Sequence, residues 1–229
     1  MVRKMSLLDF DACNDLSVFT DLFIPELKYL CDKALPKEVL FIPYGYEGDY
    51  YSSYIQEVIK VFKSFNVGVK IITDGDPAAL IKAAQCIVVG GGSLEKILEG
   101  VAGYKSYLCT ALMNGKPYLG WNEGAVLPSP SYLVPALLPT YQKGLAVTSL
   151  QIYAHYIDSD LTRFDIKNFL LNHKNDTPPI RKVFCLSDRP GGSGIRLEDD
   201  VIGVNFAGGT VENPGLQFIL DSAGRLISS

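Results

Sequence analysis

Between Lys37 and Val126 short apolar runs alternate with longer amphipathic ones, and that alternation leaves few folds open to the chain. Glu38-Val-Leu-Phe-Ile42 is a compact apolar run stopped by Pro43 and Gly45, which predicts a buried strand. From Tyr51 to Phe65, the residues Tyr51, Ile55, Val58, Ile59 and Phe62 recur at spacings of three and four, the stripe of an amphipathic helix. Val67-Gly-Val-Lys-Ile-Ile72 predicts a second strand, and Asp76-Pro77 opens a short helix to Ala84 with Asp at the cap and Pro in the first turn. Cys86-Ile-Val-Val89 predicts a third strand, running into Gly90-Gly-Gly-Ser93 and a helix from Leu94; Lys116-Pro-Tyr-Leu-Gly120 predicts a fourth. Strands that are apolar on both faces and separated by helices imply an α/β fold, a mostly parallel central sheet with helices on both faces. The expected organisation is one α/β domain over residues 1–229. In such sheets ligands bind at the carboxyl ends of the strands. The turns at Gly90 to Ser93 and Gly120 to Gly124 both fall there and are expected to face one crevice.

Beyond Val126 the pattern is less regular. Pro128, Pro130, Pro135 and Pro139 predict a surface loop up to Thr140, leading to the apolar run Gly144-Leu-Ala-Val147. Asp160 to Leu171 reads as a helix, and Lys182 to Leu186, Val201 to Val204 and Gln217 to Leu220 as short strands.

The formal net charge is −4 and no dense run of Lys or Arg occurs, which argues against nucleic acid and anionic membranes as partners. Five dispersed cysteines without C-x-x-C spacing predict neither a disulfide framework nor a zinc site, and no metal or cofactor is expected. No signal-peptide core opens the sequence and no apolar run approaches a membrane span, so the expected location is the cytoplasm.

Gly120-Trp-Asn-Glu-Gly124 is G-x-N-x-G, one residue away from the G-x-S-x-G nucleophile elbow. Asn122 at its tip has no ionisable proton and cannot attack a carbonyl as serine does. After glycine, however, Asn is among the residues most tolerant of the positive φ that such a turn imposes. The pattern fits an elbow that has lost its nucleophile, and equally a strand-to-helix turn that never held one.

Taken together, Val39-Leu-Phe-Ile-Pro43, Asp76-Pro-Ala-Ala-Leu80, Ile87-Val-Val-Gly-Gly-Gly-Ser93 and Leu119-Gly-Trp-Asn-Glu-Gly-Ala125 resemble, in order and spacing, the peptidase E family of aspartyl dipeptidases. The family patterns at these places are I-P, D-P, V-G-G-G-N and G-W-S-A-G-A. The resemblance implies the class I glutamine-amidotransferase-like fold, which is flavodoxin-related, and a Ser-His-acid triad. It carries the nucleophile position onto Asn122, the histidine onto His155 and the carboxylate onto Asp188. An oxyanion hole would come from backbone N–H groups of Gly91 or Gly92 and of Glu123, although Glu123 departs from the family's alanine. Arg163 matches one arginine of a motif linked to acidic substrates, while the second has no clear counterpart.

The resulting expectation is a peptidase E-like protein with a degenerate elbow. Its hydrolysis is lost or impaired, and it keeps a pocket for a small peptide or acidic amino-acid derivative. Two alternatives stand beside it: a hydrolase of altered mechanism in which Glu123 or Asp188 activates water, and a non-catalytic interaction scaffold. A homodimer is compatible with each.

Overall fold

The computed structural model describes residues 2–10, 20–134, 140–176, 179–180, 182–186, 193–207, 210–212 and 217–228. Along the chain run β1 (Lys4–Asp9), α1 (Thr20–Leu30), β2 (Glu38–Ile42), α2 (Gly48–Ser64), β3 (Gly68–Ile71), α3 (Pro77–Ala83), β4 (Ile87–Val89), α4 (Leu94–Val101), α5 (Lys105–Met113), β5 (Tyr118–Trp121) and α6 (Glu123–Val126). There follow β6 (Ser131–Val134), β7 (Thr140–Lys143), β8 (Gln151–Tyr153), α7 (Asp160–His173) and β9 (Lys182–Cys185). The last strands are β10 (Ser193–Glu198), β11 (Val201–Ala207), β12 (Thr210–Glu212), β13 (Gln217–Leu220) and β14 (Leu226–Ser228). Every element expected between Lys37 and Val126 forms. The predicted cap does its work, the Asp76 carboxylate accepting the Ala79 N–H at 3.1 Å, and the Ser93 hydroxyl caps α4 in the same way by accepting the Lys96 N–H at 3.4 Å.

Eight strands make the main sheet in the order β12-β11-β10-β1-β5-β4-β2-β3. From β1 to β3 the neighbours are parallel, and β10 to β12 extend the sheet antiparallel. Alternate side chains of β2 show why both faces are covered. Leu40 and Ile42 pack with Ile81, Ile97 and Leu108 from α3, α4 and α5, while Val39 and Phe41 pack with Phe23, Leu27, Val58 and Phe62 from α1 and α2.

No sequence expectation covered β1, the strand at the middle of this sheet. Its apolar run is short and broken by Ser6, which is buried and donates to Glu26 Oε2 at 2.5 Å. Glu26, itself only 1% exposed, is gripped by the Arg196 guanidinium of β10 at 2.7 and 2.9 Å. The trio thus fastens α1 to β1 and β10. Replacing Glu26 by Ala leaves Arg196 and Ser6 without their acceptor; because Arg196 keeps some solvent, the expected loss is about 2 kcal/mol, below the fully buried case. Urea unfolding of Glu26→Ala beside the unaltered chain measures it.

The surface loop expected after Val126 is a correction over residues 127–134; Pro135 and Pro139 lie outside the described residues. Leu127 and Ser129 are fully buried, and Ser131 to Val134 pairs antiparallel with Thr140 to Lys143. Prolines had signalled a loop because they cannot donate, yet the carbonyls of Pro128 and Pro130 accept from Val147 at 3.0 Å and Gly144 at 3.1 Å. The segment is tied in through its acceptors. A smaller sheet, β14-β13-β9-β8, packs Val183 and Phe218 against Ile166, Phe169 and Leu170 of α7. Among the described residues no helix is long and apolar enough to cross a membrane.

Candidate active site

Parallel pairing sets Val89 opposite Gly120 and Leu8 opposite Trp121, so the carboxyl ends of β4, β5 and β1 form one rim. Both glycine turns lie on it. Chain direction reverses at Asn122, with φ 54 and ψ −120, between β5 and α6. A non-glycine residue there is strained and persists only where neighbours impose it. The neighbours are evident: the Asn122 N–H donates to the Leu8 carbonyl at 2.8 Å, and its Oδ1 accepts the Phe10 N–H at 3.1 Å. Strand and helix come so close that a Cβ on Gly120 would sit 2.3 Å from the Gly124 carbonyl oxygen, and one on Gly124 2.2 Å from that of Val89. The two glycines of the G-x-N-x-G pattern are therefore steric requirements.

His155 follows β8 and is itself at φ 55. Its backbone N–H donates to Asp9 Oδ2 at 2.6 Å, and its Nδ1 lies 3.2 Å from Asp9 Oδ1. On the other side of the ring, Nε2 is hydrogen-bonded to Glu123 Oε1 at 3.2 Å. Glu123 points inward: its second oxygen accepts the Gly92 N–H at 2.7 Å. Gly92, at φ 117, closes against Gly45, whose carbonyl accepts the Ser93 N–H at 2.7 Å. Asp9, His155, Glu123 and Gly92 thus form a continuous polar chain across the rim.

A cavity of about 340 Å³ opens beside it, lined among others by Ser93, Glu95, Tyr132 and Tyr153. Burial, with the fields of Glu95 and Glu99 added, pushes the Tyr132 hydroxyl up to about 12, so it stays protonated and can donate. A larger cavity, about 930 Å³, lies between α3 and α5 beside Gln85 and Pro117, at the amino ends of β4 and β5 and away from these groups.

Of the residues singled out in the sequence, Gly91, Gly92, Asn122, Glu123 and His155 come together; a Cβ on Gly91 would lie 2.9 Å from that of Asn122. The Asn122 carboxamide bonds to Phe10, and it is Glu123 that meets the imidazole. Arg163 is held by Asp158 at 2.7 and 3.0 Å, with its guanidinium over Phe218, and is not in the cavity wall. Asp188 lies outside the described residues. Sequence reasoning passed over Asp9, although an ionisable residue closing the apolar run Leu7-Leu8 is a signal of its kind. Among the described residues no cluster of metal-binding side chains occurs.

The arrangement offers a backbone N–H that binds anions, an imidazole between carboxylates, and no attacking oxygen at the elbow. Residues 19–204 match the profile of peptidase family S51. Peptidase E of Shewanella sp. (strain MR-4) is 29% identical over 140 residues, 58% of each chain, and that of Streptomyces coelicolor is 28% identical over 175 residues, 70% of this chain and 68% of its own. The match therefore spans only 58% of the Shewanella protein's length. Among solved structures, a protein described as of peptidase E type from Listeria monocytogenes EGD-e superposes with a TM-score of 0.61 at 16% identity, over 90% of this chain and 98% of that one. A peptidase from an acI-B1 actinobacterium gives 0.63 at 15%, over 100% and 98%. At these identities the structures speak for the fold, which is the same α/β architecture; the profile match, across most of the sequence, establishes that the chain belongs to peptidase family S51.

Proposed function

We propose that this is a peptidase E-like protein whose crevice binds a short peptide or acidic amino-acid derivative and whose serine-type hydrolysis is lost or greatly reduced. The observation that carries the reading is Asn122 at φ 54 and ψ −120, an elbow conformation held by a side chain that cannot attack. The Glu123 carboxylate, seated on the Gly92 N–H, supports the loss of hydrolysis, because a developing oxyanion would have to displace it from that donor. Among the described residues the cysteines Cys31, Cys86, Cys109 and Cys185 are free thiols, which accords with a cytoplasmic location.

Hydrolysis of a panel of Asp-X dipeptides tests the proposal, with His155→Ala as control and thermal shift as the readout of binding. The expected result is no His155-dependent turnover, together with a melting temperature that rises with dipeptide concentration. Efficient turnover by the unaltered chain would sink it. One contact favours a second reading: with Glu123 Oε1 on His155 Nε2, the two side chains are placed to activate water. Turnover in the unaltered chain that disappears in Glu123→Gln would select that reading.

A further inference from the structure

We infer that Asp9 is the positioning carboxylate of His155, an inference that rests on His155 being the acid–base group of the proposed site. Asp9 meets His155 at two points: its Oδ2 accepts the backbone N–H at 2.6 Å, and its Oδ1 lies within ion-pair distance of the ring Nδ1, at 3.2 Å, without hydrogen-bond alignment. A carboxylate with no solvent exposure needs such partners. His155 in turn needs an anchor, since φ 55 is a strained conformation for a residue with a side chain. Asp9 ends a strand paired on both edges, which makes it a rigid support.

The consequence is chemical. Nδ1 faces the buried carboxylate and Nε2 the crevice, where Glu123 and the cavity lie, so Asp9 favours a proton on Nδ1 and leaves Nε2 to accept one from a bound group once Glu123 gives way. The charged groups that the described elements bring to the imidazole are Asp9 from β1 and Glu123 from α6. In the family pattern the acid follows the strand that ends near Leu186 and falls on Asp188. Asp9 comes instead from the first strand, so the order acid, elbow, histidine replaces elbow, histidine, acid.

The test is side-chain nitrogen NMR of the full chain, in which only two histidines occur and His155→Ala identifies the signal. In the unaltered protein the Nδ1 proton is expected to be present and slow to exchange. Asp9→Asn should speed that exchange by about 10-fold or more, as the Nδ1 proton loses its buried anionic neighbour. Asp9→Glu, which keeps the charge, should retain part of the protection. Asp188→Asn should leave the signal in place. A fast-exchanging Nδ1 in the unaltered chain overturns the inference without any variant, as does an Asp188→Asn effect with none from Asp9→Asn. In the Asn122→Ser, Glu123→Ala background, Asp9→Asn should lower kcat at least about 100-fold with KM little changed. If that background does not turn over at all, the relay reading falls, while the NMR result still decides the place of Asp9.

Discussion

The Asn122→Ser, Glu123→Ala double variant is expected to hydrolyse Asp-X dipeptides at least about 10³-fold faster than the unaltered chain, with the gain abolished by His155→Ala. Both changes are required for physical reasons. Serine at the elbow supplies the oxygen that a carboxamide lacks. As long as Glu123 stays, however, its carboxylate holds the Gly92 N–H that a developing oxyanion needs and the Nε2 that the serine proton needs. Asn122→Ser alone should therefore fall well short of the pair. The measurement is the rate of free aspartate release, with circular dichroism melts to show that each variant is folded. A folded double variant without turnover would mean that the site has diverged beyond its nucleophile.

Trp121→Ala is expected to lower stability by about 3–5 kcal/mol, the range for removing a fully buried large aromatic. Trp121 has no solvent exposure, stacks on Phe41 at 5.9 Å and on Phe10 at 6.4 Å, and tilts against Phe23 at 5.3 Å. Its ring joins β1, β2, α1 and β5 in one cluster directly before the elbow. The melting temperature should fall by roughly 10 °C, and in the Ser-bearing background turnover should fall with it, because Asn122 is the next residue. A melting temperature within about 2 °C of the unaltered chain would show that the cluster does not support this end of the sheet.

The middle of the fold was legible because its signals are local. Glu38-Val-Leu-Phe-Ile42 is apolar at consecutive positions, Asp76-Pro77 is a cap, and Gly120 and Gly124 flank a turn; each can be read within a few residues. What escaped depends on distant partners. β1 is recognisable as a strand only once Glu26 and Arg196 account for Ser6, and Asp9 gains its meaning from His155, 146 residues further on. Position 123 was flagged as a departure from the family's alanine, but its direction could not be read: only the Gly92 N–H, brought across from the neighbouring strand, turns the carboxylate inward. The proline-rich segment is misleading in sequence because a proline's missing donor is visible there and its acceptor is not, and the carbonyls of Pro128 and Pro130 do the pairing.

The placement of β1 also bears on how the chain comes to be made. Its parallel partner, β5, is complete at Trp121, but its antiparallel partner begins only at Ser193. During synthesis at about 5–20 residues per second, one edge of β1 waits several seconds for its cover after the other has formed. For that interval Met5, Leu7 and Leu8 belong to a strand with an unpaired margin, the kind of edge that recruits other nascent chains. A ribosome-bound fragment ending before residue 193 should therefore be the most aggregation-prone form of this protein, and the arrival of β10 the event that makes it safe to release.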